Sequence, residues 1–332
     1  MRLAITPLLL AAVLWSSAVL PGRGASAPGD HFRLNGQEYL RVADWAAGRG
    51  LESRWLKREQ TLQLNGSSAK LILGADSRQA EFDGVEVWLS FPVVQRGGTF
   101  YVARLDAETT LSPLLSPPGQ RGGTKVETIC LDPGHGGKDP GYCVGPNQEK
   151  KYALLLAQEV RQCLTRAGFR VSLTRTSDKF LDLPDRPDVA RERRADLFVS
   201  LHFNSTETSR SSVHGAQVFC LTPAGASSTN ARGEGGGAGW FAGNRNNDRN
   251  LFLAYEVQKS LTRSLGVEDH GVRRARFVVL RDAVMPAILI EAGFMSHPDE
   301  GRKIFTAAYR HQLAQAISDG ILAYRRGVER RG

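Results

Sequence analysis

The chain has 332 residues, which is long enough for two ordinary domains or for one large domain with a small companion. Its hydrophobic fraction of 41% and charged fraction of 23% are typical of a folded soluble protein. The formal net charge is +9, but no block of Lys and Arg is interleaved with aromatic residues. The sequence therefore does not predict a nucleic-acid-binding protein.

The first 27 residues have the pattern of a secretory signal peptide. Arg2 precedes an apolar stretch from Leu3 to Leu20, and the small-residue sequence Ala25-Ser26-Ala27 follows it. An uncleaved membrane anchor is the alternative, because an apolar run of this length almost spans a bilayer. Pro7 and the small residues favour cleavage. We therefore expect a periplasmic or extracellular protein with no stable membrane span after cleavage.

Residues 28–110 are predicted to form a small β-rich domain. Short alternating runs such as "TLQLNG" and "VEVWLS" indicate strands, and Val42–Ala47 is predicted to be a short helix. His31 stands alone, without a cluster of His, Cys or paired acids at ligand spacing. The order of the runs, from "YLRVADWAAGRGLESRW" to "GGTFYVARLDAE", resembles the copper-amine-oxidase N-terminal-like (stalk) domain of secreted bacterial proteins, without copper ligands. The resemblance implies a spacer or a wall-docking module.

A Pro- and Gly-rich segment, "LSPLLSPPGQRGGT", covers residues 111–124. Its composition predicts a linker that few contacts cross, so we expect the residues after it to fold independently. Residues 125–326 form the second predicted domain, and residues 327–332 form a basic tail.

The second domain alternates predicted strands with predicted helices. Strands are expected over residues 127–131, 169–176, 196–204, 215–221, 276–280 and 287–294. Helices are expected over residues 151–167, 186–194, 251–265 and 298–325. This alternation predicts an α/β fold with a twisted, mostly parallel sheet and helices on both faces. Ligands of such sheets bind at the carboxyl ends of the strands.

Four polar residues lie where apolar runs end or a helix begins: His135, Glu149, His202 and Glu291. A single His at a strand end is more often structural than a ligand, but a carboxylate inside "AILIEAGF" is costly to bury without a partner. Two His and one Glu are the ligand set of a catalytic zinc, with the fourth position left to water. The remaining carboxylate would be the general base of an amide hydrolysis. Spacing alone does not decide which Glu has which role.

The runs "LDPGHGGKDPG", "EK", "DLFVSLHFNS" and "VLRDAVMPAILIEAGFMSHPDE" resemble, in order, the motifs of the zinc-dependent N-acetylmuramoyl-L-alanine amidases. The resemblance covers roughly residues 125–325. It implies that His135, Glu149 and His202 bind one Zn²⁺ per chain and that Glu291 is catalytic. It also implies the substrate, which is the amide between N-acetylmuramic acid and L-alanine in peptidoglycan. An activator protein is a further candidate partner.

Two other functions stay open at this stage: a zinc exopeptidase on a similar fold, and a non-catalytic wall-binding protein. Substrate contacts are predicted at Asn204 and at Trp240, which lies in the Gly- and Asn-rich segment Ala224–Asn250. This segment is predicted to be a mobile loop bordering the cleft. The four cysteines could pair in three ways, which the sequence does not distinguish: Cys130, Cys143, Cys163 and Cys220. The preferred stem peptide and the oligomeric state are also left open.

Overall fold

The computed structural model of the chain describes residues 31–67, 69–119, 125–230 and 239–330. The predicted signal peptide, residues 120–124 of the predicted linker and residues 231–238 of the Gly- and Asn-rich segment lie outside the described residues. Within the described ranges the strands form an 11-stranded sheet, a four-stranded sheet and a two-stranded hairpin.

Residues 31–119 form the β-rich N-terminal unit that the sequence predicts. Its strands are β1 (His31–Leu34), β2 (Gln37–Arg41), β3 (Glu52–Lys57), β4 (Thr61–Asn65), β5 (Lys70–Gly74), β6 (Gln79–Phe82), β7 (Val85–Trp88), β8 (Val94–Arg96) and β9 (Thr99–Ala103). Its helical segments are α1 (Val42–Ala47), α2 (Arg104–Asp106), a π-helical turn (Ala107–Leu111) and α3 (Ser112–Leu115). The prediction of a helix at Val42–Ala47 is confirmed.

Part of the predicted linker is helical. Ser112–Leu115 form α3, and Leu111 and Leu114 are buried in the hydrophobic core. The Pro-rich composition was misleading here because Pro113 lies in the first turn of a helix, where a missing N–H group costs little.

Residues 125–330 form the second unit, which carries the predicted α/β fold. Its strands are β10 (Thr128–Pro133), β11 (Cys143–Val144), β12 (Asn147–Gln148), β13 (Arg170–Leu173), β14 (Leu197–Asn204), β15 (Ala216–Leu221), β16 (Asp269–Ala275) and β17 (Ala287–Phe294). Its helices are α4 (Glu149–Arg166), α5 (Asp185–Glu192), a 3₁₀ turn (Ala242–Asn246), α6 (Asn247–Leu265), α7 (Val278–Arg281), α8 (Pro298–Ile304) and α9 (Ala307–Glu329).

The sheet of this unit is mostly parallel, as predicted. Strands β13, β10, β14 and β17 are adjacent and parallel, β15 is antiparallel to β17, and β16 is parallel to β15. Alternate residues of the strands face opposite sides of the sheet. Ile129 and Leu131 belong to the core that includes α4, α6 and α9, whereas Cys130 and Phe198 belong to the core that includes α5 and α7. Helices therefore cover both faces.

Four predicted segments of this unit are wrong in detail. Within the described residues, no strand covers residues 276–280. Strand β16 ends just before them, at Ala275, and residues 278–281 form α7. The predicted helix 298–325 is two helices, because the side chain of Thr306 accepts a hydrogen bond from the Tyr309 N–H and starts α9 there. The predicted loop up to Asn250 ends earlier, since the 3₁₀ turn begins at Ala242. The tail predicted from residue 327 begins inside α9.

The N-terminal unit continues the sheet of the second unit. Strand β7 pairs in parallel with β16, with Val87 opposite Val272, and strands β6, β5, β4 and β3 follow in order. The ring of Phe82 packs edge-on against Tyr255 of α6, with ring centroids 5.4 Å apart. Both units share one hydrophobic core. The expectation that few contacts cross between them is therefore wrong.

All four cysteines are free thiols, and Cys143 is the exposed one. Within the described ranges, no helix combines the length and the apolar character needed to cross a membrane.

Candidate active site

His135 lies in a tight loop directly after β10, and the glycines around it are required by close contacts. The backbone of His135 is left-handed, with φ of 60°. A Cβ atom at Gly134 would lie 2.2 Å from the ring of His202, so no other residue fits there. The glycines therefore let the loop bring His135 against the end of β14. We call residues 134–141 the His135 loop.

Three side chains meet at the carboxyl ends of β10 and β14 and at the first residue of α4. His135 Nε2 lies 3.0 Å from Glu149 Oε1, and His202 Nδ1 lies 3.1 Å from the same oxygen and 3.2 Å from His135 Nε2. The three atoms thus form a nearly equilateral triangle. Tetrahedral zinc with ligand bonds of about 2.1 Å separates its ligand atoms by roughly 3.4 Å, so this donor set fits a metal ion of that size.

A fourth residue, which the sequence analysis missed, orients His135. Asp139 Oδ2 lies 2.8 Å from His135 Nδ1, and the other Asp139 oxygen accepts the N–H of Gly141. A carboxylate at Nδ1 holds the ring proton there, so the lone pair of Nε2 faces Glu149 and His202. Carboxylates with this role are common behind metal-binding histidines. The signal in the sequence was the acid four residues after His135.

Backbone and side-chain contacts keep Glu149 ionised. Its Oε2 accepts the N–H of Tyr142 at 3.0 Å, and its Oε1 accepts the N–H of Phe203 at 3.1 Å. Burial raises the pKa of Glu149, but the hydrogen bonds and charges of His135 and His202 outweigh it, and the pKa lies below its ordinary value. A buried carboxylate that is kept ionised in this way is suited to binding a cation.

Glu291 lies beside this triangle but has a different environment. It is the direct neighbour of His202 in the pairing of β14 with β17. Its Oε2 is buried and has no hydrogen-bond partner among the described residues. Burial, and then the negative charge of Glu149, raise the pKa of Glu291 well above its ordinary value. A raised carboxyl pKa is what a group needs to accept a proton and return it near neutral pH.

Two arginines hold the backbone from which His135 projects. Arg186 is 2% exposed and forms an ion pair of 2.9 Å with the fully buried Asp132, and it also donates to the carbonyls of Pro133 and His135. Arg175 donates to the carbonyls of Pro133 and Gly134. No spacing in the sequence identifies these arginines, because they come from segments that lie about 40 to 50 residues after His135.

A cavity of about 400 Å³ opens next to the triangle, on the sheet face covered by α5 and α7. One part of its wall is polar and includes His135, His202 and Glu291. The rest of the wall consists of apolar side chains, two acids and two arginines: Leu183, Phe277, Val278, Val279, Leu289, Asp132, Asp139, Arg186 and Arg276. The cavity therefore offers an apolar surface beside the polar site, as enzyme clefts commonly do.

The structure brings together the four residues predicted to carry the chemistry, but neither predicted substrate contact lies in the cavity wall. Asn204 Oδ1 accepts the N–H of Ser205, and its carbonyl accepts the N–H of Met295. Trp240 is 55% exposed and lies under the guanidinium of Arg245. Their roles in substrate binding stay predictions.

The chain is similar to known proteins of one family. Residues 129–323 match the model of the N-acetylmuramoyl-L-alanine amidase family. The chain is 32% identical to N-acetylmuramoyl-L-alanine amidase AmiA of Salmonella typhimurium over 252 residues, covering 69% of this chain and 86% of the relative. It is also 32% identical to AmiA of Escherichia coli, covering 63% of this chain and 79% of the relative.

Solved structures show the same fold. A crystal structure of N-acetylmuramoyl-L-alanine amidase from Clostridium difficile 630 superposes with a TM-score of 0.51 and 30% identity, covering 60% of this chain and 97% of that one. The family match accounts for the second unit and leaves out the N-terminal unit. The predicted family, fold class and enzyme activity are thereby confirmed: the chain belongs to the N-acetylmuramoyl-L-alanine amidase family.

Proposed function

We propose that this amidase is an exported, zinc-dependent enzyme in which His135, Glu149 and His202 bind one zinc ion and Glu291 is the catalytic base. The main observation that supports this proposal is the triangle of donor atoms, which lie 3.0–3.2 Å apart. The bond that this enzyme cleaves is the amide between N-acetylmuramic acid and L-alanine of peptidoglycan. When bound, zinc supplies an electrophile and lowers the pKa of a coordinated water to about 7.

The residues of the chain divide the remaining work. Asp139 fixes the tautomer of His135, and the backbone N–H groups of Tyr142 and Phe203 orient Glu149. Glu291 Oε2, which has no other partner among the described residues, accepts the proton of the attacking water and returns it to the leaving nitrogen of L-alanine. The apolar part of the cavity wall lies beside the groups that transfer this proton.

Export to the periplasm or the cell surface is supported by the signal-peptide pattern of residues 1–27 and by the peptidoglycan substrate.

The two alternative functions, a non-catalytic wall-binding protein and a zinc exopeptidase, have less support. A non-catalytic wall-binding protein would not need a buried, unpartnered carboxylate beside a metal triangle, and an exopeptidase would release single amino acids. An activator protein as partner is a proposal that rests on the sequence analysis alone.

Digestion of purified peptidoglycan sacculi with the mature protein tests the proposal. Without chelator, mass analysis should show free lactyl groups together with intact stem peptides; with chelator, the products should disappear and return when zinc is added. Release of single amino acids would identify an exopeptidase. Products that are unchanged by complete metal removal would contradict the zinc assignment.

A further inference from the structure

Gln217 is a polar residue beside the catalytic base, and it has no part in the proposed mechanism. It lies in β15, "AQVFCL", whose other residues are apolar and whose six residues are all buried. Gln217 is 8% exposed, and its carboxamide forms no hydrogen bond with any residue in the described ranges. A nearly buried amide without a partner costs free energy, so its place in a native strand requires an explanation.

The pairing of β15 with β17 places Gln217 directly opposite Glu291. The next pair on this side of the sheet is Phe219 with Leu289, and both belong to the core that includes α5 and α7. Gln217 and Glu291 therefore share the sheet face on which the catalytic cavity opens. Opposed residues of an antiparallel pair have Cβ atoms about 5 Å apart. The carboxamide of Gln217 thus lies close to the base, just beyond the cavity wall that Glu291 lines.

These two neighbouring polar groups do not satisfy one another. Glu291 Oε2 is buried and has no hydrogen-bond partner among the described residues. The polar atoms of Gln217 also lack partners there, but neither is among the fully buried unpartnered atoms, so the exposed remainder of the side chain includes its amide. A carboxamide has both an acceptor oxygen and a donor nitrogen. The amide of Gln217 is therefore available to a molecule bound at this edge of the sheet.

The backbone before Gln217 is held in place by hydrogen bonds. Glu300 Oε2 accepts the N–H of Gly215 at 3.0 Å, and the carbonyl of Glu268 accepts the N–H of Ala216 at 3.0 Å. Because the backbone is already fixed, only the side-chain torsions of Gln217 lose freedom when its amide binds a ligand. This lowers the entropic cost of binding.

The order of groups across the sheet edge indicates which part of the substrate meets Gln217. His202, Glu291 and Gln217 lie on the adjacent strands β14, β17 and β15, so Glu291 is between the metal triangle and Gln217. In the proposed reaction, Glu291 returns a proton to the leaving nitrogen, and this nitrogen belongs to the stem peptide. Gln217, on the far side of Glu291 from the triangle, is therefore on the peptide side of the scissile bond.

We propose that Gln217 is a specificity-determining residue that binds the first peptide group of the stem peptide, the one that follows L-alanine. This inference rests on the proposed amidase function. A carboxamide and a peptide group are complementary, because Nε2 donates to the peptide carbonyl and Oε1 accepts the peptide N–H. Two such hydrogen bonds hold the leaving nitrogen in line with Glu291.

Two soluble probes test the proposal: N-acetylmuramoyl-L-alanine N-methylamide, and the corresponding methyl ester, which lacks the peptide N–H. The wild-type enzyme should have a KM about fivefold lower for the amide than for the ester, as expected for one neutral hydrogen bond. Gln217→Leu should abolish this difference by raising the KM for the amide, with kcat almost unchanged. Gln217→Asn, which keeps the carboxamide on a shorter stem, should retain part of the preference.

Gln79→Leu is the matched control. Gln79 is also on a strand of the same sheet, β6, but it is exposed and four strands away from β17. This variant should keep the wild-type ratio of the two KM values.

A third probe tests the other amide group of the substrate, the acetamido group of the sugar. In this probe a hydroxyl replaces the acetamido group, and the N-methylamide is kept. Its KM should rise in Gln217→Leu as the KM of the first probe does. A KM that does not respond to the substitution would place the contact on the sugar and contradict the assignment to the peptide.

An unchanged ratio of the amide and ester KM values in Gln217→Leu would overturn the proposal. An equal loss of kcat on both probes would also overturn it, because Gln217 would then only support Glu291. Zinc content and a thermal melt identify a misfolded variant, and Gln217→Met, with an unbranched apolar side chain, replaces Gln217→Leu in that case. A zinc-loaded wild type that cleaves neither probe and releases no stem peptide from sacculi would instead refute the proposed function itself. The two failures are therefore distinguishable.

Discussion

The His135 loop borders the catalytic cavity, whereas residues 222–230 lie behind Arg276 of its wall, and the two segments are held in different ways. The His135 loop is held by Arg175 and Arg186, which lie inside the region that matches the amidase family. Residues 222–230 are held by Arg78 and by Arg274, whose side chain donates to Thr109 and Thr110; Arg78 and both threonines lie outside that region. The side chains that hold the His135 loop therefore come from the second unit, whereas residues 222–230 depend on the N-terminal unit.

The largest effect on activity is expected when Glu291 is replaced. This substitution separates the role of the site in metal binding from its role in proton transfer. Glu291→Gln should keep zinc, since the side chain lies beside the triangle of donor atoms, and should reduce kcat by about 10² to 10⁴. Metal analysis of the purified variant, together with kcat on a soluble muramyl peptide, measures both quantities. Loss of the metal would show that Glu291 is a ligand.

The pH profile gives a second measurement on the same residue. Because burial and Glu149 raise the pKa of Glu291, and because a base works only when deprotonated, kcat/KM should rise with pH through a value above the ordinary carboxyl range. Glu291→Gln should remove this acid limb. A limb that persists in the variant would assign it to another group.

Arg186→Gln tests whether the His135 loop is held as described. Removing one partner of a buried ion pair should lower the free energy of unfolding by about 3–5 kcal/mol and weaken zinc binding as the loop loosens. Arg191→Gln on the same helix is the control, because its ion pair with Asp188 is exposed and should contribute less than about 1 kcal/mol. Equal stability of the two variants would contradict this role of Arg186.

Phe82→Ala tests the dependence of the second unit on the first. The loss of a buried ring against Tyr255 should cost about 3 kcal/mol, and both units should unfold in one transition. Denaturant unfolding followed by Trp fluorescence and by residual activity measures both points. Leu34→Ala, on an exposed strand, should change little. Two separate unfolding transitions would instead indicate that the two units fold independently.

The smallest effect is expected at Asp139. Asp139→Asn keeps an oxygen that can accept the proton of His135 Nδ1 but removes the negative charge, so zinc affinity should fall about tenfold. Competition with a chelator measures the change. An unaltered affinity would mean that the backbone of the loop suffices to orient His135.

The sequence identified residues that the structure brings together at one edge of the sheet, and it described other parts of the molecule less well, for physical reasons. His135, His202 and Glu291 could be located because each lies within or just after a recognisable apolar strand, and adjacent parallel strands end at one edge. Arg186 could not be located, because nothing local distinguishes an arginine that is buried from one that is exposed.

Strand β16 shows why the connection between the units was missed. Its sequence, "DHGVRRA", is rich in charge, and the buried position of Arg274 is visible only from its contacts with Thr109 and Thr110. The next residues, "RFVVL", have the composition of a strand, but three of their apolar side chains, Phe277, Val278 and Val279, line the cavity instead. The pairing of β16 with β7 joins residues far apart along the chain, which local periodicity cannot reveal.

The pairing of Val87 with Val272 also has a consequence for how the chain acquires its structure. Contacts between residues so distant in sequence form late and slowly, because a long loop must close first. Until β16 arrives, β7 is left with an open hydrogen-bonding edge, and such edges recruit strands from other molecules. The nascent N-terminal unit should therefore need protection from aggregation until almost the entire second unit is available to it.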